Sequence, residues 1–134
     1  MGIQYSVLAN DNQLDSKETT IGTAPVLRLY TGAKPANCAA AATGTKLTED
    51  ALPSDWMNDA ASAAKTKKGT WTLTGIASGN AGYFRIYDSA MTTCHVQGSV
   101  TATGGGGDMT LDNINIAVSQ TVTVGTFTLT SGNQ

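Results

Sequence analysis

His95 is the only histidine of this chain, so it is the one candidate base for a Ser-His-Asp arrangement. It stands in Cys94-His95-Val96-Gln97, a strand-like stretch, and no Gly-x-Ser-x-Gly turn occurs to expose a nucleophilic serine. An ordinary strand histidine or a contact residue is the expected role. Cys38 and Cys94 could join it as metal ligands, but a fourth ligand and the usual close pairs of cysteines are missing. Free buried thiols are the expected state of the two cysteines, with a disulfide between neighbouring strands or metal ligation as alternatives. Asp108, Asp112 and Asn113 offer oxygen ligands of the kind that hold calcium. Their spacing is not that of an EF-hand loop, and turn residues flanking a short strand are the expected reading. Gly104 to Gly107 could cradle a phosphate, yet the run lacks the Lys-Ser/Thr of a P-loop and opens no helix, so a mobile hairpin tip is expected. Glycoside hydrolysis needs two facing carboxylates. The strands offer mostly Thr, Ser and Asn, with Asp88 beside Tyr87 the one acid at a strand end next to an aromatic. The expectation is therefore no enzyme, with no catalytic residue, cofactor or metal site.

The elements that would position these residues read as strands. Arg28-Leu29-Tyr30 and Arg85-Ile86-Tyr87 recur in the same order, each followed within a few residues by a cysteine. Gly69-Thr70-Trp71-Thr72-Leu73-Thr74 is echoed by Gly125-Thr126-Phe127-Thr128-Leu129-Thr130 at nearly the same offset. Each phrase alternates apolar and polar residues, the period of a half-buried strand. Duplication would explain the echoes, but Thr-rich strands match one another easily by composition alone. Strands are expected over Val26–Thr31, Lys46–Asp50, Gly69–Ile76, Tyr83–Asp88, Thr93–Thr103, Met109–Leu111, Ile114–Ala117 and Gln120–Thr130. A tail is expected over 131–134. Ser54 or Asp55 could cap a short helix running to about Ala64. Within residues 1–24, Ile3, Tyr5 and Val7 alternate with polar residues like an extended arm, and Asn10 to Glu18 could form a short helix ending before Gly22. The expected architecture is all-β: an N-terminal arm or short helix (1–24), then a jelly-roll or β-sandwich of seven to eight antiparallel strands (25–134).

Composition narrows the partners. The chain has 134 residues, of which 13% are charged, about half the usual share, with a formal net charge of −2. No basic stripe exists to neutralise phosphates, so nucleic acid is not an expected partner. Lys65, Lys67 and Lys68 form the one basic run and read as a solvated turn. No secretory signal is visible, and no stretch of about 20 apolar residues is present to cross a membrane. A polar but nearly uncharged surface suits packing against other proteins.

Leu27, Leu29, Phe84 and Ile86 should point to the opposite side of their strands from Arg28, Tyr30, Tyr83, Arg85 and Tyr87. The second group is expected to face outward, as a contact surface rich in Tyr and Arg or as a solvated face. Trp71 and Phe127 read as core. Trp56 fits core or contact surface equally.

Leu27-Arg28-Leu29-Tyr30-Thr31-Gly32-Ala33-Lys34-Pro35-Ala36 resembles the opening strand of a family of small virion proteins of tailed bacteriophages. Leu52-Pro53-Ser54-Asp55-Trp56-Met57, Gly82-Tyr83-Phe84-Arg85-Ile86-Tyr87-Asp88-Ser89 and the closing Gln120-Thr121-Val122-Thr123-Val124…Phe127-Thr128-Leu129-Thr130 are similar to further segments of that family, so the likeness spans about residues 20–132. The resemblance implies a jelly-roll decoration, or cement, protein on the outer surface of the capsid. Its partners would be the major capsid protein and further copies of itself, as dimers or trimers over the joints between capsid subunits. The candidate interface comprises Ile3, Tyr5, Val7, Leu8, Arg28, Tyr30, Trp56, Arg85 and Tyr87. The rival expectation is a tail-tip, fibre or carbohydrate-binding module that makes contact through Trp56 and the Gly104–Gly107 loop.

Overall fold

The computed structural model describes residues 2–131; the expected tail therefore lies, past Ser131, outside the described residues. Over these described residues the fold is mostly β, with one N-terminal helix and a single open, mixed nine-strand sheet that neither closes nor curls. Helix α1 spans Val7–Ile21. The strands are β1 Val26–Thr31, β2 Lys46–Ala51, β3 Ala64–Thr66, β4 Thr72–Thr74, β5 Gly79–Tyr87, β6 Cys94–Ala102, β7 Met109–Leu111, β8 Asn115–Ile116 and β9 Thr121–Thr130. Their order is β2-β1-β5-β6-β7-β9-β3, with β4 also paired to β9 and β8 to β5.

The helix is longer than the short one expected, and it starts earlier. The Ser6 hydroxyl caps it by accepting the Ala9 N–H at 3.1 Å, satisfying a donor that has no partner within the helix. Gly22 ends it at φ 92°, a backbone region costly for a residue with a Cβ. Asn10, Leu14 and Ile21 are its buried residues; at 3.6 residues per turn they form one narrow stripe. The flanking carboxylates reach across to the chain before β3. Asp15 accepts the Ala60 N–H at 2.9 Å and Asp11 the Ala63 N–H at 2.8 Å.

Two expectations about local structure are corrected. The short helix over 54–64 is absent. Backbone bonds from Asn58 N–H to the Thr66 carbonyl and from Lys68 N–H to the Trp56 carbonyl, both 2.9 Å, draw this segment alongside β3 instead, so tertiary pairing overrides the helix propensity of its alanines. The Gly104–Gly107 turn is not a hairpin tip, because β6 and β7 run parallel, Val100 opposite Met109. Gly104 and Gly106, at φ 86° and 81°, fold the chain back beside β6, and the Gly107 N–H is tied to Thr101 Oγ1 at 2.9 Å. The sheet is thus mixed, with nine strands, where seven or eight antiparallel ones were expected.

One core gathers Leu27, Leu29, Leu47, Phe84, Ile86, Trp71, Leu73, Met109, Val122 and Phe127 among others. Phe127 lies edge-on to Phe84 at 5.5 Å and tilted against Trp71 at 5.4 Å. Trp56 belongs to this core: it is fully buried, 5.9 Å from Trp71, and its indole N–H donates to the Gly22 carbonyl at 3.0 Å.

Candidate contact surface

The strand phrases place their side chains on alternate faces as expected, but the second face is not open. Arg28 stands opposite Arg85 and Tyr30 opposite Tyr83 in the β1–β5 pairing, and the connection between β1 and β2 folds back over them. The Arg85 guanidinium donates to the Asn37 and Ala40 carbonyls at 3.2 and 2.8 Å, to Gln97 Oε1 at 3.1 Å and to the Tyr87 hydroxyl at 3.3 Å. Gln97 Nε2 donates to the Pro35 carbonyl at 2.8 Å. The Tyr83 hydroxyl donates to the Thr43 carbonyl at 2.6 Å and accepts the Thr43 N–H at 3.0 Å. Gly82 sits so close to the Gly32 backbone that a Cβ there would collide with it, which allows this connection to lie flat. Tyr30 and Tyr83 stack at 5.0 Å, and the Arg28 guanidinium lies 4.3 Å from the centroid of the Tyr87 ring.

The expected outward face is therefore corrected. Tyr30, Tyr83, Arg85 and Tyr87 are buried by the chain itself, and Arg28 is mostly covered, its Nε 2.7 Å from Glu49 Oε2. That N–H is not aimed at the carboxylate, so the contact is an ion pair and not a hydrogen bond. A hydrogen bond from Lys46, with Arg28 nearby, holds the Glu49 carboxyl below its ordinary range. Burial pushes the Tyr30 phenol up. Trp56, equally buried, offers no platform for a sugar.

Four predicted contact residues are at the surface, all at the N-terminal end. Ile3, Tyr5, Val7 and Leu8 are 74%, 51%, 43% and 69% exposed. Tyr5 also borders a recess of about 300 Å³ together with Ala9, Asn10 and Gln13. In its wall Asn10 accepts the Ser131 hydroxyl at 2.9 Å through Oδ1, while its Nδ2 is buried without a partner among the described residues. Ile3, Tyr5, Val7 and Leu8 follow closely in sequence, whereas Ile76, Met91 and Val118, the other exposed large hydrophobics among the described residues, stand singly along the chain.

The residues weighed for chemistry take structural parts. Asp108 accepts the Ser99 N–H and hydroxyl at 2.9 and 3.1 Å, Asp112 the Thr123 N–H at 3.0 Å, and Asn113 the Asn115 N–H at 2.9 Å. Asp88 caps the β5–β6 turn through the N–H and hydroxyl of Thr92, both at 2.8 Å, which lowers its carboxyl pKa. Among the described residues no group of three or more His, Cys, Asp or Glu side chains converges as a metal site would require. No helix among the described residues is long and apolar enough to cross a membrane.

Lys65, expected in a solvated turn, is instead fully buried, its ammonium 2.7 Å from Asp15 Oδ1, 2.7 Å from Glu18 Oε1 and 2.8 Å from the Asn58 carbonyl. Burial opposes its charge, but the two carboxylates outweigh it and the lysine pKa is raised. The hydrogen bond from Lys65 lowers that of Asp15 in return. Its apolar neighbour Ala63 and the strand period of β3 were the only local signals. Comparison of the chain with family models, with curated proteins and with solved structures returns no match.

Proposed function

We propose that the protein is a structural component of a bacteriophage virion, a decoration or cement protein that docks on the major capsid protein at capsomer junctions on the outside of the head. The observation that carries this reading is the exposed apolar segment Ile3, Tyr5, Val7 and Leu8 at the start of α1, on a chain with few charges. Such a segment gains stability only when a partner surface covers it. The strand motifs that resemble the phage family support the same assignment. A jelly-roll-like arrangement within the sheet is supported by the contact of Phe84 on β5 with Phe127 on β9, and by a bridge from Thr48 on β2 to Gly75 just after β4.

A cement protein acts by binding the assembled shell in preference to free subunits, which shifts the assembly equilibrium toward the shell. Self-association as a dimer or trimer multiplies weak contacts on a fixed lattice, so modest single-site affinity suffices. Trp56, the anchor required by the rival sugar-binding reading, is inside the core, so no observation favours that alternative.

The test is co-sedimentation with mature heads that lack the protein. The unaltered chain is expected to saturate the heads, and the Tyr5→Ser/Leu8→Ser double variant to lose binding by about 100-fold or more, given roughly 1.5–3 kcal/mol for each large apolar side chain fully buried. Both side chains are exposed in the free chain, so its unfolding midpoint should not move. Full occupancy by the variant, or no binding by the unaltered chain, would overturn the proposal.

A further inference from the structure

Cys38 and Cys94 are far apart in sequence, and both are free and half-buried. Cys94 begins β6 opposite Tyr87. Cys38 lies on the covering connection between β1 and β2. The bonds from Arg85 to Asn37 and Ala40, on either side of Cys38, and from Gln97 to Pro35 bring that connection against β5 and β6. The two side chains adjoin, and the Cys94 thiol donates to the Val96 carbonyl at 3.5 Å. A groove of about 490 Å³ runs past Cys38 and is bordered by Lys17, His95 and Gln97, giving a small reagent access to that side.

We propose that Cys38 and Cys94 form a redox dithiol that closes to an intramolecular disulfide by exchange with a low-molecular-weight disulfide, fastening the β1–β2 connection to β6. The Cys38 thiolate attacks one sulfur of the reagent, forming a mixed disulfide and releasing one thiolate. The Cys94 sulfur, losing its proton to solvent, then attacks the Cys38 sulfur and expels the second thiolate. The protein gives up two electrons and two protons, and the reagent is reduced to two thiols. Burial and the adjoining Cys38 thiol push Cys94 up to about 12. Of the two cysteines Cys38 is the one that borders the groove, and the raised Cys94 thiol is the poorer nucleophile, so entry falls to Cys38.

The closed bond would constrain a long stretch of the unfolded chain, which raises the unfolding temperature. Treatment of the dilute protein with oxidised glutathione is expected to remove two hydrogens from its intact mass, with no glutathione retained and no covalent dimer. The unfolding temperature should rise by on the order of 10 °C and return on reduction with dithiothreitol. Cys94→Ser should retain one glutathione on Cys38. Cys38→Ser should react with Ellman's reagent at least tenfold more slowly than Cys94→Ser. Two retained glutathiones, covalent dimers, or two thiols that stay reduced would overturn the proposal. The mass of the unaltered protein decides the matter even where a variant fails to fold.

Discussion

Replacing Lys65 should loosen the helix from the sheet. The ammonium donates to Asp15 and to the Asn58 carbonyl, and Glu18 adds an ion pair at 2.7 Å. Removing one partner of a buried ion pair costs about 3–5 kcal/mol when the other charge is left stranded. Here the upper end is not reached. The lysine side chain is fully covered, but those of Asp15 and Glu18 are 42% and 23% exposed, so both carboxylates regain water once the ammonium is gone. We expect Lys65→Met, which roughly keeps the volume, to cost about 2 kcal/mol, and Lys65→Ala about 3 kcal/mol because it also leaves a cavity. Urea unfolding monitored by circular dichroism measures both. Asp15→Asn retains an oxygen for the Ala60 N–H while removing the charge, so a double-mutant cycle with Lys65→Met isolates the ionic part, expected at about 1 kcal/mol. A loss below about 0.5 kcal/mol for Lys65→Met, or a coupling of zero, would refute the reasoning.

Further outcomes follow from the same contacts. Asp15 and Glu49 are held below their ordinary range by Lys65 and Lys46 respectively; the unfolded chain then takes up protons first as pH falls. Their contribution is present above about pH 5 and is lost as pH drops through the lowered native values; urea midpoints between pH 3 and 7 should show this decline, shallower in Asp15→Asn, and equal slopes would refute the assignment. Arg85→Lys keeps the charge but not the fork that reaches Asn37, Ala40, Gln97 and Tyr87. It should cost about 2 kcal/mol and speed hydrogen exchange chiefly over residues 35–43; a uniform increase along the chain would count against the covering role of that segment.

Much of the sheet was legible because alternation of apolar and polar residues reports strand geometry directly. β1 and β7 lie where the pattern puts them, β2 and β9 differ by one residue at one end, and β6 and β8 are shorter by one residue at each end. What alternation cannot report is what lies on each face. Arg28, Tyr30, Arg85 and Tyr87 have the spacing of an outer face, and they are covered because a connection without regular structure supplies carbonyls to a guanidinium. Nothing local to the connection announces that. Lys65 is misplaced for a similar reason: its two carboxylate partners stand on α1, some fifty residues earlier. Of the candidate contact residues, the exposed four are Ile3, Tyr5, Val7 and Leu8.

This covering also determines how an anchoring role must be tested. Had residues 1–20 been a free arm, deleting them would separate attachment from folding. Leu14 is fully buried, and Asp15 and Glu18 neutralise a lysine that has no access to water. A deletion through residue 20 would strand that charge and open the core, so any loss of binding would report unfolding as much as lost contact. Ile3, Tyr5 and Leu8 sit on the other side of this division: they are exposed, and no core residue rests on them. Substitutions confined to these positions change the surface offered to a lattice and leave the helix–sheet junction intact. Closing the fold and the proposed contact with a partner thus fall to different residues of the same helix and its lead-in, and they are experimentally separable only at that resolution.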